Sequence, residues 1–275
     1  MEIFQRLYKS GAGAIVSKSL STKPWDGYHN PTFVGLDNGG WINAVGLSNP
    51  GAREFANIIK GNKDVPMIVS LVGSEPSDFA EMISRFDTEN ITAYELNLSC
   101  PHVAKVGLEV GDDLELVSNI ISVAKSASNV PIIVKVGLGS TDYLSTVETA
   151  IKAGADAITA INTLRAMAID VETQNPVLSN VIGGMSGSPI KPVAIRCVYE
   201  ITDKFDIPVI GCGGISSWTD ATEFILAGAS AVQVGSAIGD DGMDIFKEIN
   251  DGLLRYMDRK GFDSIMDMVG SVRKS

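Results

Sequence analysis

The chain is 275 residues long, carries a formal net charge of -11, and is 45% apolar and 20% charged, an ordinary composition for a folded globular protein. That length suits one large α/β domain or two small ones, and the acidic balance argues against nucleic acid or an anionic membrane surface as partner. No stretch approaches the roughly 18 to 20 consecutive apolar residues of a membrane span, and the three scattered cysteines, Cys100, Cys197 and Cys212, suit neither a disulfide framework nor a CxxC metal knuckle. Together these features predict a cytoplasmic protein with a single domain over residues 1–275.

The chain opens with MEIFQRLYKSGAGAIVSKS, whose acidic Glu2 beside Met1 and amphipathic spacing read as a helix and not a signal peptide. Short apolar runs then recur: AIVS (14–17), MIVSLV (67–72), AYELNL (93–98), PIIVKV (131–136), AITAI (157–161), PVIGC (208–212) and AVQVG (231–235). Helix-like stretches over 50–60, 76–88, 112–128, 141–153, 189–205 and 217–227 fill the gaps. Several carry start signals, such as Pro50, Ser140-Thr141-Asp142, and Ser216 before Trp218. Runs without polar alternation, each followed by a helix, predict a parallel sheet covered on both faces. Their near-regular spacing favours a (β/α)8 TIM barrel over an open doubly wound sheet. No GxGxxG follows the first run, whereas glycine turns follow the last two.

Seven runs are found where a barrel needs eight, which would leave two open parallel edges. Either the first barrel strand lies upstream of Met1, which is the preferred reading, or one of the remaining segments holds a strand that its pattern does not show. Residues 19–49 and 164–188 are long non-helical insertions, of the length that functional lids and binding segments have.

Polar residues gather at the C-terminal ends of the runs, where barrel active sites lie. Lys18 ends the first, Asn97 lies near the end of the third, and Cys100 follows three residues later. Lys135 is within the fourth, Asn162-Thr163 end the fifth, and Gly213-Gly214 and Gly235-Ser236 follow the last two. Glycine turns here let backbone N–H groups approach a phosphate closely, although they also make tight βα turns. Lys135, between Val134 and Val136, suits an anionic heterocycle, a phosphate or a structural ion pair; Lys18 follows the same argument. Cys100 is a candidate base or nucleophile, or else a small buried residue. An unperturbed thiol with a pKa near 8.5 is only about 3% thiolate at pH 7. Cys197 and Cys212 read as buried. His29 and His102, the only histidines, have no carboxylate at ligand spacing, so no metal site is expected. Gly184-Met185-Ser186-Gly187 lacks the GxSxG spacing.

NAVGLSNPG (43–51), ELNLSCPH (95–102), VKVG (134–137), INTLRAMAIDVET (161–173), GGMSGSPIKPVA (183–194) and GCGGI (211–215) resemble, in this order, class 1 dihydroorotate dehydrogenases. The resemblance runs from Gly11 to about Gly239, and AIDVET followed by GGMSG and KPVA looks most like the B-type, NAD-linked subgroup. It implies a barrel holding FMN at its mouth and oxidising dihydroorotate to orotate in de novo pyrimidine (UMP) biosynthesis. Cys100, on a loop running to about Gly111, matches the base that takes the C5 proton while a hydride passes from C6 to flavin N5. Asn43, Gly46, Leu47, Asn97, Asn162 and Thr163 match substrate positions. Lys18 matches a lysine between flavin and substrate, with Ser19 beside it at the cofactor. Lys135 matches a flavin-ring contact, and Gly187, Gly213, Gly214, Gly235 and Ser236 match the ribityl-phosphate cradle.

The resemblance also implies a homodimer or a heterotetramer, the latter with a subunit carrying FAD and a 2Fe–2S cluster that passes electrons to NAD. This chain has no cysteine set for such a cluster and no dinucleotide fingerprint, so a partner or a soluble oxidant such as fumarate must reoxidise the flavin. Two departures stand out. The family's opening hairpin and first strand, with an Ala-Ser-Gly-like turn at FMN, have no counterpart, and Ser70 replaces an Asn that many relatives have. An alternative is a dihydropyrimidine dehydrogenase-type domain reducing uracil or thymine, which shares NLSCPH and the Asn-Thr pair; INTLRAMAIDVET speaks for the first reading. A third reading is a flavin-free binding or scaffold protein.

Overall fold

The computed structural model describes residues 1–37, 39–86, 91–98, 110–111, 113–139 and 142–274. Thirteen strands occur among them: β1 (Ile15–Val16), β2 (Phe33–Gly35), β3 (Gly40–Asn43), β4 (Met67–Leu71), β5 (Ala93–Asn97), β6 (Ile132–Val136), β7 (Ala157–Ala160), β8 (Leu164–Ala166), β9 (Ile169–Asp170), β10 (Asn175–Pro176), β11 (Gly183–Gly187), β12 (Val209–Cys212) and β13 (Ala231–Gln233).

The seven apolar runs become one sheet in the order β1-β4-β5-β6-β7-β12-β13, and every adjacent pair is parallel. Strands such as IIVKV are apolar on both faces and need cover on both. Helices Ala52–Ile59, Pro76–Ile83, Leu114–Ala127, Tyr143–Lys152, Lys191–Lys204, Trp218–Ala227 and Ile245–Lys260 cover the outside, their buried faces joining the strands in one core. Local chemistry starts them: Glu75 and Asp78 form a reciprocal capping box around Pro76, and Asp113, Asp142 and Ser217 each accept a backbone N–H from the first turn they precede.

The sheet curls upon itself. Gln233 on β13 donates from Nε2 to Glu95 Oε2 on β5 at 2.7 Å, although three strands separate them in the sheet order. Their side chains meet only across a barrel interior, so the architecture is a (β/α)8 barrel with seven staves present. No helix among the described residues is long and apolar enough to cross a membrane.

Both long insertions fold together. β2, β3, β11 and β8 form a four-stranded antiparallel sheet, with Asn43 opposite Gly184 and Gly40 opposite Gly187. The sequence marked these segments only as non-helical. β11 is GGMSG, a poor strand former by composition, and its partners lie far away along the chain, so local periodicity carries no sign of the pairing. Helix Ile245–Lys260 also lay outside the predicted set.

Helix Ile245–Lys260 touches the barrel through Gly252, where an added Cβ would lie 2.1 Å from Trp218 Cγ and 2.2 Å from Trp218 Cβ. Helix propensity favours Gly252→Ala by about 1 kcal/mol, but overpacking against the root of a side chain costs about 1–3 kcal/mol. The expected outcome is a net loss of about 1 kcal/mol, read as a lower urea midpoint at unchanged slope. A higher midpoint would show that the two helices can part cheaply.

Candidate functional site

The insertions leave the C-terminal ends of β1 and β7, so the small sheet roofs that end of the barrel. Beneath it, side chains from four staves join. Ser70 and Ser19 share a hydrogen bond of 2.9 Å, Asn97 Nδ2 donates to Ser19 Oγ at 3.0 Å, and Asn162 Nδ2 donates to Asn97 Oδ1 at 3.1 Å. Asn162 Oδ1 accepts the Thr163 backbone N–H at 2.8 Å. Asn43, on the roof, donates to Gly184 O at 3.1 Å. Gly184 lies so near Thr163 that an added Cβ would sit 2.2 Å from its Oγ1. Asn43, Asn97, Asn162 and Thr163, distant in sequence, thus share one mouth. Ser70, which the sequence marked as a departure, occupies itself with Ser19.

Gly46 and Leu47 make a buried turn with φ of 71° and 57°. The left-handed backbone at Leu47 is strained for a residue with a Cβ, a feature that clusters at functional sites. Asn49 holds the turn: its Nδ2 donates to Leu47 O at 2.6 Å while its Oδ1 accepts from Gly51 N at 2.9 Å. A Cβ on Gly46 would lie 2.8 Å from Tyr28 N, so only glycine fits.

One layer deeper, polar groups line the barrel interior. Glu95 accepts from Thr159 Oγ1 at 2.9 Å and from Gln233 Nε2 at 2.7 Å. Lys135 Nζ donates to Gln233 Oε1 at 3.2 Å and lies 3.9 Å from Glu95 Oε1. Burial works to lower the Lys135 pKa, but Cys212 and Glu95 beside it outweigh that and hold it above the usual lysine value. Burial pushes the Cys212 thiol up. Cys212 is only half-buried and forms part of this layer, unlike fully buried Cys197. Glu95 and Gln233 were readable by the signal that flagged Lys135, a polar residue inside an apolar run, yet were not singled out.

The glycine turns meet at the same end. Gly213 and Gly214 follow β12 with φ of 129° and 76°, and Gly187 ends β11 with φ of 86°. An added Cβ on Gly214 would lie 2.7 Å from Gly187 O and 2.8 Å from Lys191 Cβ, so roof and barrel touch through bare backbone. Gly235 follows the neighbouring β13 and faces open space, with nothing within 4 Å of where a Cβ would be. Ser236 leads into helix Ala237–Asp241, whose Asp240 accepts from Trp41 Nε1 on the roof at 2.9 Å. Asp220 staples the Gly213–Ser217 turn by accepting from Ser216 N at 3.0 Å, Ser217 Oγ at 2.8 Å and Lys191 Nζ at 2.6 Å. Burial works to raise its carboxyl, but Lys191, Ser217 and Ser216 outweigh that and hold it below the ordinary range. Asp220, Trp41 and Asn49 are tertiary anchors that sequence reasoning missed. Lys18 stands exposed at the end of β1, beside Ser19. Cys100 and His102 lie outside the described residues.

A family model described as dihydroorotate dehydrogenase matches residues 1–257. The catalytic subunit of dihydroorotate dehydrogenase B (NAD(+)) from Pyrococcus furiosus is 44% identical over 274 residues, covering 99% of this chain and 91% of the relative. Its counterpart from Thermococcus kodakarensis is 46% identical over 266 residues, covering 96% and 87%. That from Methanothermobacter thermautotrophicus is 47% identical over 268 residues, covering 96% and 88%. The crystal structure of an Eimeria tenella DHODH in complex with ferulenol matches with a TM-score of 0.83 at 20% identity, over 98% of this chain and 81% of that one. At that identity it shows the fold alone.

Lys135→Met would take its ion-pair partner from Glu95, whose side chain is 2% exposed, and leave it facing Thr159 and Gln233. Breaking a buried pair costs about 3–5 kcal/mol; the 3.9 Å separation argues for the low end, about 3 kcal/mol. Because the folded lysine pKa is raised, this contribution is fully present below the unfolded value of about 10.4 and lost as pH climbs through the folded one. Urea midpoints of wild type and variant should differ by a constant amount from about pH 6 to 9 and converge above about pH 10.4. Equal midpoints at pH 7 would show the pair to be immaterial.

Proposed function

The chain belongs to the dihydroorotate dehydrogenase family, a family of oxidoreductases, and on that footing we propose that it oxidises dihydroorotate to orotate with FMN, in de novo pyrimidine (UMP) biosynthesis. The observation that carries this reading is the run of hydrogen-bonded amide side chains, Asn97 and Asn162 with Thr163 and roof residue Asn43, at the same mouth as three glycine turns and a cation. Amides carry both donors and acceptors, which suits the alternating edge of a pyrimidine.

The residues fit the cofactor. Gly213, Gly214 and Gly187 expose backbone at conformations that side chains rarely adopt, and Gly235 faces open space; with Ser236 they would hold the phosphate. Lys135, Lys18 and Ser19 would lie against the ring system. Bound there, FMN supplies a two-electron acceptor for the hydride that leaves C6 of dihydroorotate.

The chain's own groups divide the remaining work. Cys100 takes the proton from C5 as general base. Asn43, Asn97, Asn162 and Thr163, with the Gly46-Leu47 turn, hold the substrate ring and its carboxylate, so that little reorganisation is needed as it reacts. Lys135, its charge sustained by Glu95, offers a fixed cation to negative charge that develops beside it. The roof and the glycine turns exclude water from the space between. The catalytic-subunit names of the relatives support a partner here too: a subunit bearing FAD and a 2Fe–2S cluster that carries electrons on to NAD. The assembly is then a cytoplasmic homodimer or heterotetramer.

Under argon, dihydroorotate should bleach the yellow flavin band of the purified protein. Cys100→Ser should keep the flavin but slow bleaching at pH 7 by about 10²-fold or more. Asn97→Ala should also keep the flavin and weaken the dependence of bleaching on dihydroorotate concentration by about tenfold. A yellow protein untouched by dihydroorotate would sink the substrate assignment, and a protein that takes up no FMN would sink the cofactor.

A further inference from the structure

Asp220 is a buried carboxylate in the first turn of helix Trp218–Ala227, and its two oxygens hold different parts of the chain. Oδ2 accepts from Ser216 N at 3.0 Å, Ser216 Oγ at 3.1 Å and Ser217 Oγ at 2.8 Å. It thereby ties down the turn that begins at Gly213. Oδ1 accepts at 2.6 Å from Nζ of Lys191, the residue that opens helix Lys191–Lys204. That helix follows Gly187 through the short Ser188–Ile190 turn. One side chain therefore spans two segments that leave different strands, β11 and β12.

Both segments press on the same glycines. An added Cβ on Gly214 would lie 2.8 Å from Lys191 Cβ and 3.0 Å from Lys191 N, and one on Gly213 would lie 3.0 Å from Ala194 Cβ and 3.2 Å from Ile190 Cδ1. The spacing of Gly187 from Gly213 and Gly214 thus depends on how closely helix Lys191–Lys204 sits against the turn. Lys191 is held between Asp220 and Glu223, the latter at 2.9 Å, so two carboxylates already balance its charge. An anion at these turns then relies on backbone N–H groups. Such donors weaken steeply once they point away from their acceptor, so a small relative shift of the two segments is felt directly.

We propose that Asp220 is a positioning residue for the phosphate of the cofactor: by holding Ser216 and Ser217 with one oxygen and Lys191 with the other, it sets the separation of Gly187 from Gly213 and Gly214. This rests on the reading that FMN occupies the mouth with its phosphate at these turns. The sign of the effect separates positioning from simple electrostatics. A carboxylate near a phosphate repels it, so on charge alone neutralising Asp220 tightens phosphate binding; loss of the clamp weakens it. Asparagine does not replace the clamp. Its amide presents one accepting oxygen and one donating NH2, so either Lys191 or the Ser216 N–H meets a donor.

The test sets FMN against riboflavin, which lacks the phosphate. Flavin-loaded protein is incubated with an excess of both in equal amounts, starting from either flavin until the endpoints agree, and the bound flavins are extracted and their ratio measured. Wild type is expected to favour FMN. Asp220→Asn is expected to cut that preference by about tenfold or more, and Ser217→Ala, which removes an uncharged partner of the same carboxylate, by a smaller factor in the same direction. Glu223→Gln removes the other carboxylate charge beside Lys191 and is expected to leave the preference unchanged or raise it. An unchanged or raised preference in Asp220→Asn would overturn the proposal, as would an equal loss in Glu223→Gln. If Asp220→Asn does not fold, Ser217→Ala decides: a preference equal to wild type overturns the proposal. A wild type that holds both flavins alike, or neither, would instead sink the placement of the phosphate at these turns, and this inference with it.

Discussion

The charged pair inside an otherwise apolar sheet is the constraint on which the rest depends. Glu95 and Lys135 lie on adjacent strands and point into the barrel, where an uncompensated charge would cost several kcal/mol. Neighbouring strands alone do not satisfy them. Thr159 on β7 and Gln233 on β13 supply further hydrogen bonds, and Gln233 reaches Glu95 only because the sheet curls. Curvature, polar satisfaction and a cation held near the mouth are thus one arrangement.

Above that layer, geometry is set by contacts between roof and barrel. Gly187 and Gly214 meet backbone to backbone, and Gly184 and Thr163 meet where no side chain could intervene. Trp41, stacked on Phe33 at 4.6 Å, reaches from the roof to Asp240 beyond the Gly235-Ser236 turn. Asp220 draws Lys191 and the Gly213–Ser217 turn together. The glycine turns and the amide side chains therefore share a frame: a shift of the roof moves both. Such coupling suits a site in which a cofactor and a flat substrate must lie against each other at a fixed spacing.

Much of the scaffold was legible because its signals are local. IIVKV, AITA and VIGC are apolar on both faces, and helix starts such as Glu75-Pro76 and Ser217 carry their own caps. The shortfall of one strand was legible too, since it needs only a count of runs. That Asn97, Asn162, Gly213 and Gly235 lie at strand ends around one mouth followed from the rule that a barrel presents those ends together. The roof was not legible. GGMSG has no strand periodicity, and its pairing with Asn43 and Arg165 joins segments with no local relation. Asp220 read as a residue of a helix's first turn, and its role as the staple of the Gly213–Ser217 turn depends on Lys191 arriving from another helix.

The sequence by itself determined the strand–helix alternation, the curled parallel architecture, the open edges and the chemical character of the mouth. These depend on hydrophobic periodicity and on residue types within a few positions of one another. Only the tertiary structure decided which polar groups neutralise each other, that two insertions make one roof, and that Gly187 belongs beside Gly214. Those are outcomes of distance between residues far apart in the chain. Many sequences with the same pattern of apolar and polar positions are compatible with different partners for Lys135; Glu95, Gln233 and Cys212 are among its partners because the curl of the sheet brings those groups together.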